Sequence, residues 1–162
     1  MRKRLSRSRA ADAPAVGTDR IELRFPATLA AFRDAFARLG AALDGRALPP
    51  ATRYGVELVF EEIVANVVRH GAPRSAGAPP AIAVAVDVGA DEVALTFDDD
   101  GPAFDPCAAG AVGRTRAAAL DDEALGGLGL AMVRRAPKSM EYRRTPDARN
   151  RLVGRLATRA PA

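Results

Sequence analysis

Three short stretches of this chain carry residue types that could do chemistry. In "VELVFEEIVANVVRHG" (56–71), Glu62, Asn66 and His70 stand at i, i+4 and i+8. A helix would set them on one polar stripe beside an apolar stripe of Val56, Val59, Phe60, Ile63 and Val67. Glu61 then points roughly 100° away, toward solvent. A carboxylate can take a proton, and an amide oxygen is a hard donor suited to a hard cation. Taken alone, the stripe is also what a solvated helix face looks like, with His70 near a C-terminus that favours its protonated form. Asparagine is a mediocre helix former and costly to bury without a partner, so its place beside a packing stripe asks for one.

The second stretch is "FDDDGPAFDP" (97–106), directly after a run that reads as a strand. Aspartate and glycine make turns by themselves. A carboxylate at a strand end, with glycine two residues later, can also accept an amino hydrogen from a flat base lying against the backbone. The spacing of an EF-hand calcium loop and its final glutamate are missing. The third stretch is "GGLGL" (126–130), opening a helix. Glycines there leave backbone N–H groups free for an anion, or simply make a hinge. The dinucleotide fingerprint fails, because Met132 stands at its third glycine and no strand directly precedes it. No Gly-Lys-Ser/Thr occurs, which excludes a P-loop.

The elements that must position these residues follow from periodicity. "RIELRF" (20–25) alternates as a half-buried strand does. Leu29, Phe32, Phe36, Leu39 and Leu43 recur at steps of three and four, which predicts an amphipathic helix over 28–43. "DGRALPP" breaks it, its prolines suiting the first turn of the next helix, which closes at Gly71 as C-cap. Strands are expected at 81–88 and 92–97, joined by a hairpin. A segment over 105–125 is longer than an ordinary connection, so it is either functional or mobile. After a helix opening at 126, "SMEYRR" and "NRLVGRLAT" read as strands around a "TPDAR" turn. The order predicts an α+β two-layer sandwich, with helices on one face of a mixed, mostly antiparallel sheet.

Length and charge bound the rest. With 162 residues, 48% of them apolar, the chain has material for one domain with a hydrophobic core. The formal charge of +4 is placed unevenly: Arg2, Lys3, Arg4, Arg7 and Arg9 lie in the first ten residues. Setting those five aside leaves 19 of the 24 basic residues against 20 acidic ones. Residues 1–18 therefore read as a disordered basic tail and 19–158 as a single domain with no nucleic-acid-binding face. No apolar run reaches the length of a membrane span, and no apolar core follows the basic start as in a secretory signal. A lone Cys107 forms no internal disulfide, and a cytoplasmic location is expected.

In this order and spacing, the three stretches resemble the nucleotide site of the Bergerat-type (GHKL) ATPases, the superfamily that includes gyrase and the histidine-kinase ATP domains. An E-x-x-x-N helix matches Glu62 and Asn66, a D-x-G turn matches Asp99 and Gly101, and a G-x-G helix start matches Gly127 and Gly129. "EEIVANVVRHG", "DDDGPAFDP", "GGLGLAMVRR" and "NRLVGRL" look most like the anti-sigma-factor serine/threonine kinases, over residues 20–157.

The resemblance implies ATP and Mg²⁺, with Asn66 as the metal ligand and Glu62 as the base that deprotonates a serine or threonine hydroxyl. It implies that Asp99 takes the adenine amino group, that Gly101 lines the base pocket, and that the backbone at Gly127, Leu128 and Gly129 holds phosphate. Residues 105–125 would form a lid, offering Arg114 and Arg116 as phosphate-binding cations. Asp98 and Asp100 should point away from the site on strand alternation, and Pro102 stands where many relatives carry another residue. The partners implied are an anti-anti-sigma (STAS) protein and a sigma factor, and the family implies a homodimer. A second reading from a different class is an ATP-dependent switch that sequesters a regulator without kinase activity.

Overall fold

The computed structural model describes residues 19–70, 77–106 and 138–158. Its elements run β1 (Asp19–Pro26), α1 (Leu29–Asp44), α2 (Pro50–His70), β2 (Ala81–Val88), β3 (Glu92–Asp99), β4 (Ser139–Arg144) and β5 (Asn150–Ala157). The tail, Gly71, Cys107, the helix expected from 126 and all of the expected lid except Asp105 and Pro106 lie outside the described residues.

Local chemistry fixes the helix ends. Thr28 caps α1, its Oγ1 accepting from Ala31 N at 3.3 Å. Pro50 opens α2, where its missing N–H costs nothing. Arg69 and His70 fill the last turn of α2, the end at which the helix dipole favours positive charge.

The strands form one sheet in the order β1-β2-β3-β5-β4, and every pairing among them is antiparallel. The expected mixed character is absent from this set for a simple reason. From β1 through α1 and α2 to β2 the chain reverses three times, so β2 returns against β1 in the opposite sense; hairpins do the same for β2–β3 and β4–β5. Both helices lie on one face of the sheet, α1 over β1 and α2 over β3 and β5. This is the two-layer α+β sandwich that the periodicities lead one to expect.

Period-two alternation sorts the strand residues between the faces. The outer face carries charge pairs: Arg20–Asp87 at 2.9 Å, Arg151–Asp98 at 2.6 Å and Arg155–Glu92 at 2.7 Å. The helix-facing side is apolar across β1 and β2 and most of β3. Phe60 of α2 lies at its centre, fully buried, with the rings of Phe25, Phe32, Phe36 and Phe97 between 6.1 and 6.4 Å away. Burying such a side chain stabilises the fold by about 1.5–3 kcal/mol. Ala35, Leu39 and Leu43 are the buried residues of α1, whereas Leu29, expected on the packing stripe, is 52% exposed at the helix's first position. Leu29 directly follows the Thr28 cap, and the stripe first packs against the core one turn later, at Phe32.

Contact between α2 and β5 depends on Gly55, where an added Cβ would stand 2.5 Å from Leu156 Cδ2. Thr52 Oγ1 ties the same end of α2 to the carbonyl of Ala157 at 3.1 Å. None of the described helices is long and apolar enough to cross a membrane.

Candidate functional site

Strand register assembles the site. On the helix-facing side, Asp99 of β3 is opposite Asn150 of β5, and Asn150 is opposite Arg144 of β4. One step along the strands the corresponding row is Phe97, Leu152 and Tyr142. A row of polar side chains thus follows a row of apolar ones at one end of the sheet. Across from them the last turns of α2 present Ile63, Asn66, Val67 and His70. Between the two layers is a cavity of about 170 Å³, whose rim is completed by Pro102, Ala103, Phe104 and Pro106. Among the described residues its wall is mostly apolar, with polar side chains from Asn66, His70, Asp99, Tyr142 and Asn150, the composition expected of a pocket for a flat organic ligand.

Asp99 is buried, and its two hydrogen bonds fall on one oxygen. Oδ1 accepts from Gly101 N at 2.9 Å and from Asn150 Nδ2 at 2.8 Å. Among the described residues Oδ2 carries no hydrogen bond. Burial raises the Asp99 pKa, while Asn150, the Gly101 N–H and the Arg144 charge each pull it down and Asp100 adds a small upward push. Asp98 and Asp100 point elsewhere, as alternation requires. Asp98 pairs with Arg151 on the outer face, and Asp100 Oδ1 accepts from Ala81 N at 2.7 Å. Gly101 is buried just behind the cavity wall. Its N–H closes the turn on Asp99 and its carbonyl accepts from Arg144 Nη1 at 2.9 Å, so Pro102 and Ala103 present the surface there.

Asn66 lines the same cavity from the helix side. Its Nδ2 is buried and unpartnered among the described residues. Orphaned buried amides are rare, since each costs about 1–3 kcal/mol. Half a turn about the terminal side-chain bond would put the amide oxygen there instead, since the two ends of the amide are nearly the same in shape. The position therefore suits an oxygen donor to a cation. Among the described residues no group of three or more His, Cys, Asp or Glu gathers to hold a metal. A donor set of one amide fits magnesium, which keeps its waters and takes substrate phosphates in place of a protein cage.

Glu62 stands one turn before Asn66, half-buried and outside the cavity wall. Burial, and secondarily Glu61, raise its pKa, with Arg69 opposing them. A half-buried carboxylate with a raised pKa is a better proton acceptor than an ordinary one. The structure thus brings Asn66 and Asp99 to one cavity, with Glu62 on the adjoining helical turn and Gly101 bracing the opposite wall. Gly127, Leu128, Gly129, Arg114 and Arg116 lie outside the described residues.

Sequence reading missed Asn150, the centre of the polar row. "NRLVGRL" reads as an alternating strand whose first residue is merely polar; only strand pairing shows which residue it meets. The available signal was an asparagine in phase with the buried positions Leu152, Gly154 and Leu156.

Comparison with known proteins gives this geometry a family. No functionally curated protein matches the sequence. The chain is similar in structure to one solved in "the RsbU and RsbW domains of Rv1364c from Mycobacterium tuberculosis", with a TM-score of 0.59 at 19% identity. That likeness covers 90% of this chain and 34% of the other, so this chain spans about a third of its length. It is also similar to a chain of the SiaB–SiaC complex from Pseudomonas aeruginosa, with a TM-score of 0.52 at 15% identity, covering 85% of this chain and 89% of that one. At these identities both likenesses speak for the fold. The family model for the histidine kinase-like ATPase domain matches residues 25–153, from the end of β1 into β5 and across every candidate residue described above. With the cavity, its buried aspartate and its orphaned asparagine in place, the chain belongs to the histidine kinase-like ATPase domain family.

Proposed function

We propose that this chain is an ATP-binding anti-sigma regulatory factor that transfers the γ-phosphoryl group of ATP to a serine or threonine of an anti-anti-sigma (STAS) partner. The observation that carries the nucleotide part is a pairing within one cavity: an open carboxylate oxygen on Asp99 at the base of the sheet and an unpartnered amide on Asn66 across from it. The first suits the amino group of adenine, the second a cation riding on phosphates. Support for the regulatory part comes from the likeness to a chain carrying an RsbW domain and to a chain of a two-protein complex.

In this reading the apolar wall from Phe97, Leu152, Val67 and Phe104 takes the faces of the base, while Asp99 Oδ2 accepts from its amino group. Asn66 would hold magnesium, which when bound neutralises phosphate charge and keeps the phosphates in line. Glu62 accepts the proton of the partner's hydroxyl. The hydroxyl oxygen forms a bond to the γ-phosphorus as the bond to the bridging oxygen breaks, leaving ADP. Phosphoryl transfer asks mainly for positioning and neutralisation, so one carboxylate of raised pKa suffices as base. Gly127, Leu128 and Gly129 are proposed to hold phosphate through their backbone, with residues 105–125 as the lid.

The test pairs labelled ATP and Mg²⁺ with a STAS protein encoded beside this chain. Wild type should produce phosphoserine or phosphothreonine, and Glu62→Gln should slow transfer by about 10²–10⁴-fold while leaving ATP affinity unchanged. Equal ATP binding by both, with transfer by neither, would replace the kinase with a nucleotide-dependent switch that sequesters a regulator.

A further inference from the structure

Asn150 is more tightly specified than a surface asparagine needs to be. Its Oδ1 receives three donors: Arg144 Nη1 at 2.7 Å, the Tyr142 hydroxyl at 2.8 Å and Phe104 N at 3.4 Å. Its Nδ2 meets only acceptors: Asp99 Oδ1 at 2.8 Å, Pro102 O at 2.9 Å and Gly101 O at 3.5 Å. Reversing the amide would oppose donors to donors or oxygens to oxygens at each of these contacts except the Tyr142 hydroxyl, which can also accept. Arginine does not lose its proton, so nothing near neutral pH removes the group that fixes the orientation.

The orientation has a chemical consequence for Asp99. Nδ2 can only donate, so Asp99 Oδ1 is committed to accepting, from Asn150 and from the Gly101 N–H. Any proton on this carboxyl would have to sit on Oδ2, the oxygen left without a hydrogen bond among the described residues. An ionised Asp99 therefore presents an acceptor to the base and a protonated one presents a donor. A 6-amino purine needs the acceptor; a 6-oxo purine would pair with the donor.

We propose that Asn150, oriented by Arg144 and Tyr142, is the positioning residue that fixes base specificity, keeping Asp99 Oδ2 as an acceptor and so selecting adenine over guanine nucleotides. The inference rests on the adenine site proposed above and assigns its discrimination to a residue that acts through Asp99. The groups facing Asp99 agree with it. Arg144 from β4 and the amide of Asn150 from β5 favour the carboxylate; Tyr142 from β4 is turned to Asn150. Asp100, directly after β3, pushes the other way, and His70 stands across the cavity on α2. Without Asn150 the burial of Asp99 acts against less opposition, and the carboxyl takes up its proton at higher pH.

The experiment measures the affinities of the full chain for MgATP and MgGTP by calorimetry between pH 5 and 8. Wild type should prefer ATP, with affinity lost only toward the acid end. Asn150→Leu, similar in volume, should lower the ATP-to-GTP preference by about 10-fold or more, the worth of one hydrogen bond to a charged group. It should also move the acid loss of ATP binding to higher pH, which a merely structural defect would not do. Should that variant fail to fold, Tyr142→Phe and Arg144→Met read the same network with Asn150 in place. Each should reduce the preference by about threefold or more and shift the profile the same way. Folded variants with wild-type preference and wild-type pH profile overturn the assignment of Asn150. Absence of binding to either nucleotide by wild type would instead overturn the adenine site itself.

Discussion

The two halves of the helix-facing side of the sheet are built to opposite ends. Under α1 and the middle of α2 the surface is closed: four phenylalanines meet around Phe60, and no polar side chain among the described residues joins them. A few ångströms on, across β3, β5 and β4, the same face ends in Asp99, Asn150 and Arg144 and leaves a cavity beneath the end of α2. One cross-strand row shows the change: Phe25 and Ile82 are followed on the next strands by Asp99, Asn150 and Arg144. The first half spends no interaction on specificity and the second accepts a buried carboxylate for its sake. Stability and recognition are thus separated by strand, although they share one layer.

Variants can break or sharpen that division. The largest effect belongs to the closed half: Phe60→Ala should cost about 3–5 kcal/mol in denaturant unfolding, because four rings lose their common neighbour. A loss under 1 kcal/mol would mean that the aromatic cluster is not the structural centre. In the open half, Asp99→Asn should weaken ATP binding by about 10–100-fold, since an amide hydrogen would face the amino group. The same change should leave the protein as stable as wild type or more so at neutral pH. Burial raises the Asp99 pKa above its ordinary 3.8, so the folded state holds the proton more tightly than the unfolded one. Stability conferred by that proton is complete below 3.8 and is lost as pH rises through the elevated value. A variant both weaker in binding and much less stable would show that the two halves are not separable.

Smaller effects refine the boundary. Gly55→Ala gains about 1 kcal/mol of helix propensity but forces Leu156 aside at a cost of about 1–3 kcal/mol, for a net loss near 1 kcal/mol in thermal unfolding. Any fall in ATP affinity on top of it would mean that α2 is held at working distance from the sheet by this contact. Ala148, in the turn joining β4 to β5, has φ of 56°. Ala148→Gly should relieve left-handed strain and raise stability by about 0.5 kcal/mol, seen as a small rise in melting temperature without change in nucleotide binding.

Much of this division was legible in the sequence, unevenly. The packing stripes show because burial repeats with the period of the element: Val56, Val59, Phe60 and Ile63 all reach the core, and only Val67 stops half-buried, where the helix passes over the cavity. Asp99 and Asn66 were legible because each is a residue that its element would not choose for itself. Asn150, Arg144 and Tyr142 were not, because a polar residue at a strand end is unremarkable until register names its neighbour. Leu29 failed for a related reason: its spacing fits the stripe, but periodicity does not say where a helix first touches the sheet.

The insertion of β5 between β3 and β4 sets an order on how the pocket comes into being. Asp99 and its hydrogen-bond donor are 51 residues apart in the chain, and Leu152 of the pocket wall arrives with that donor. A nascent chain that has emerged only through β3 can bury its phenylalanines, yet its carboxylate still lacks the amide of Asn150. Competence to bind is therefore conferred by the β4–β5 hairpin as its inner strand pairs with β3, and a bound nucleotide would act as a latch on that strand, slowing amide exchange in β5 more than anywhere in the phenylalanine core.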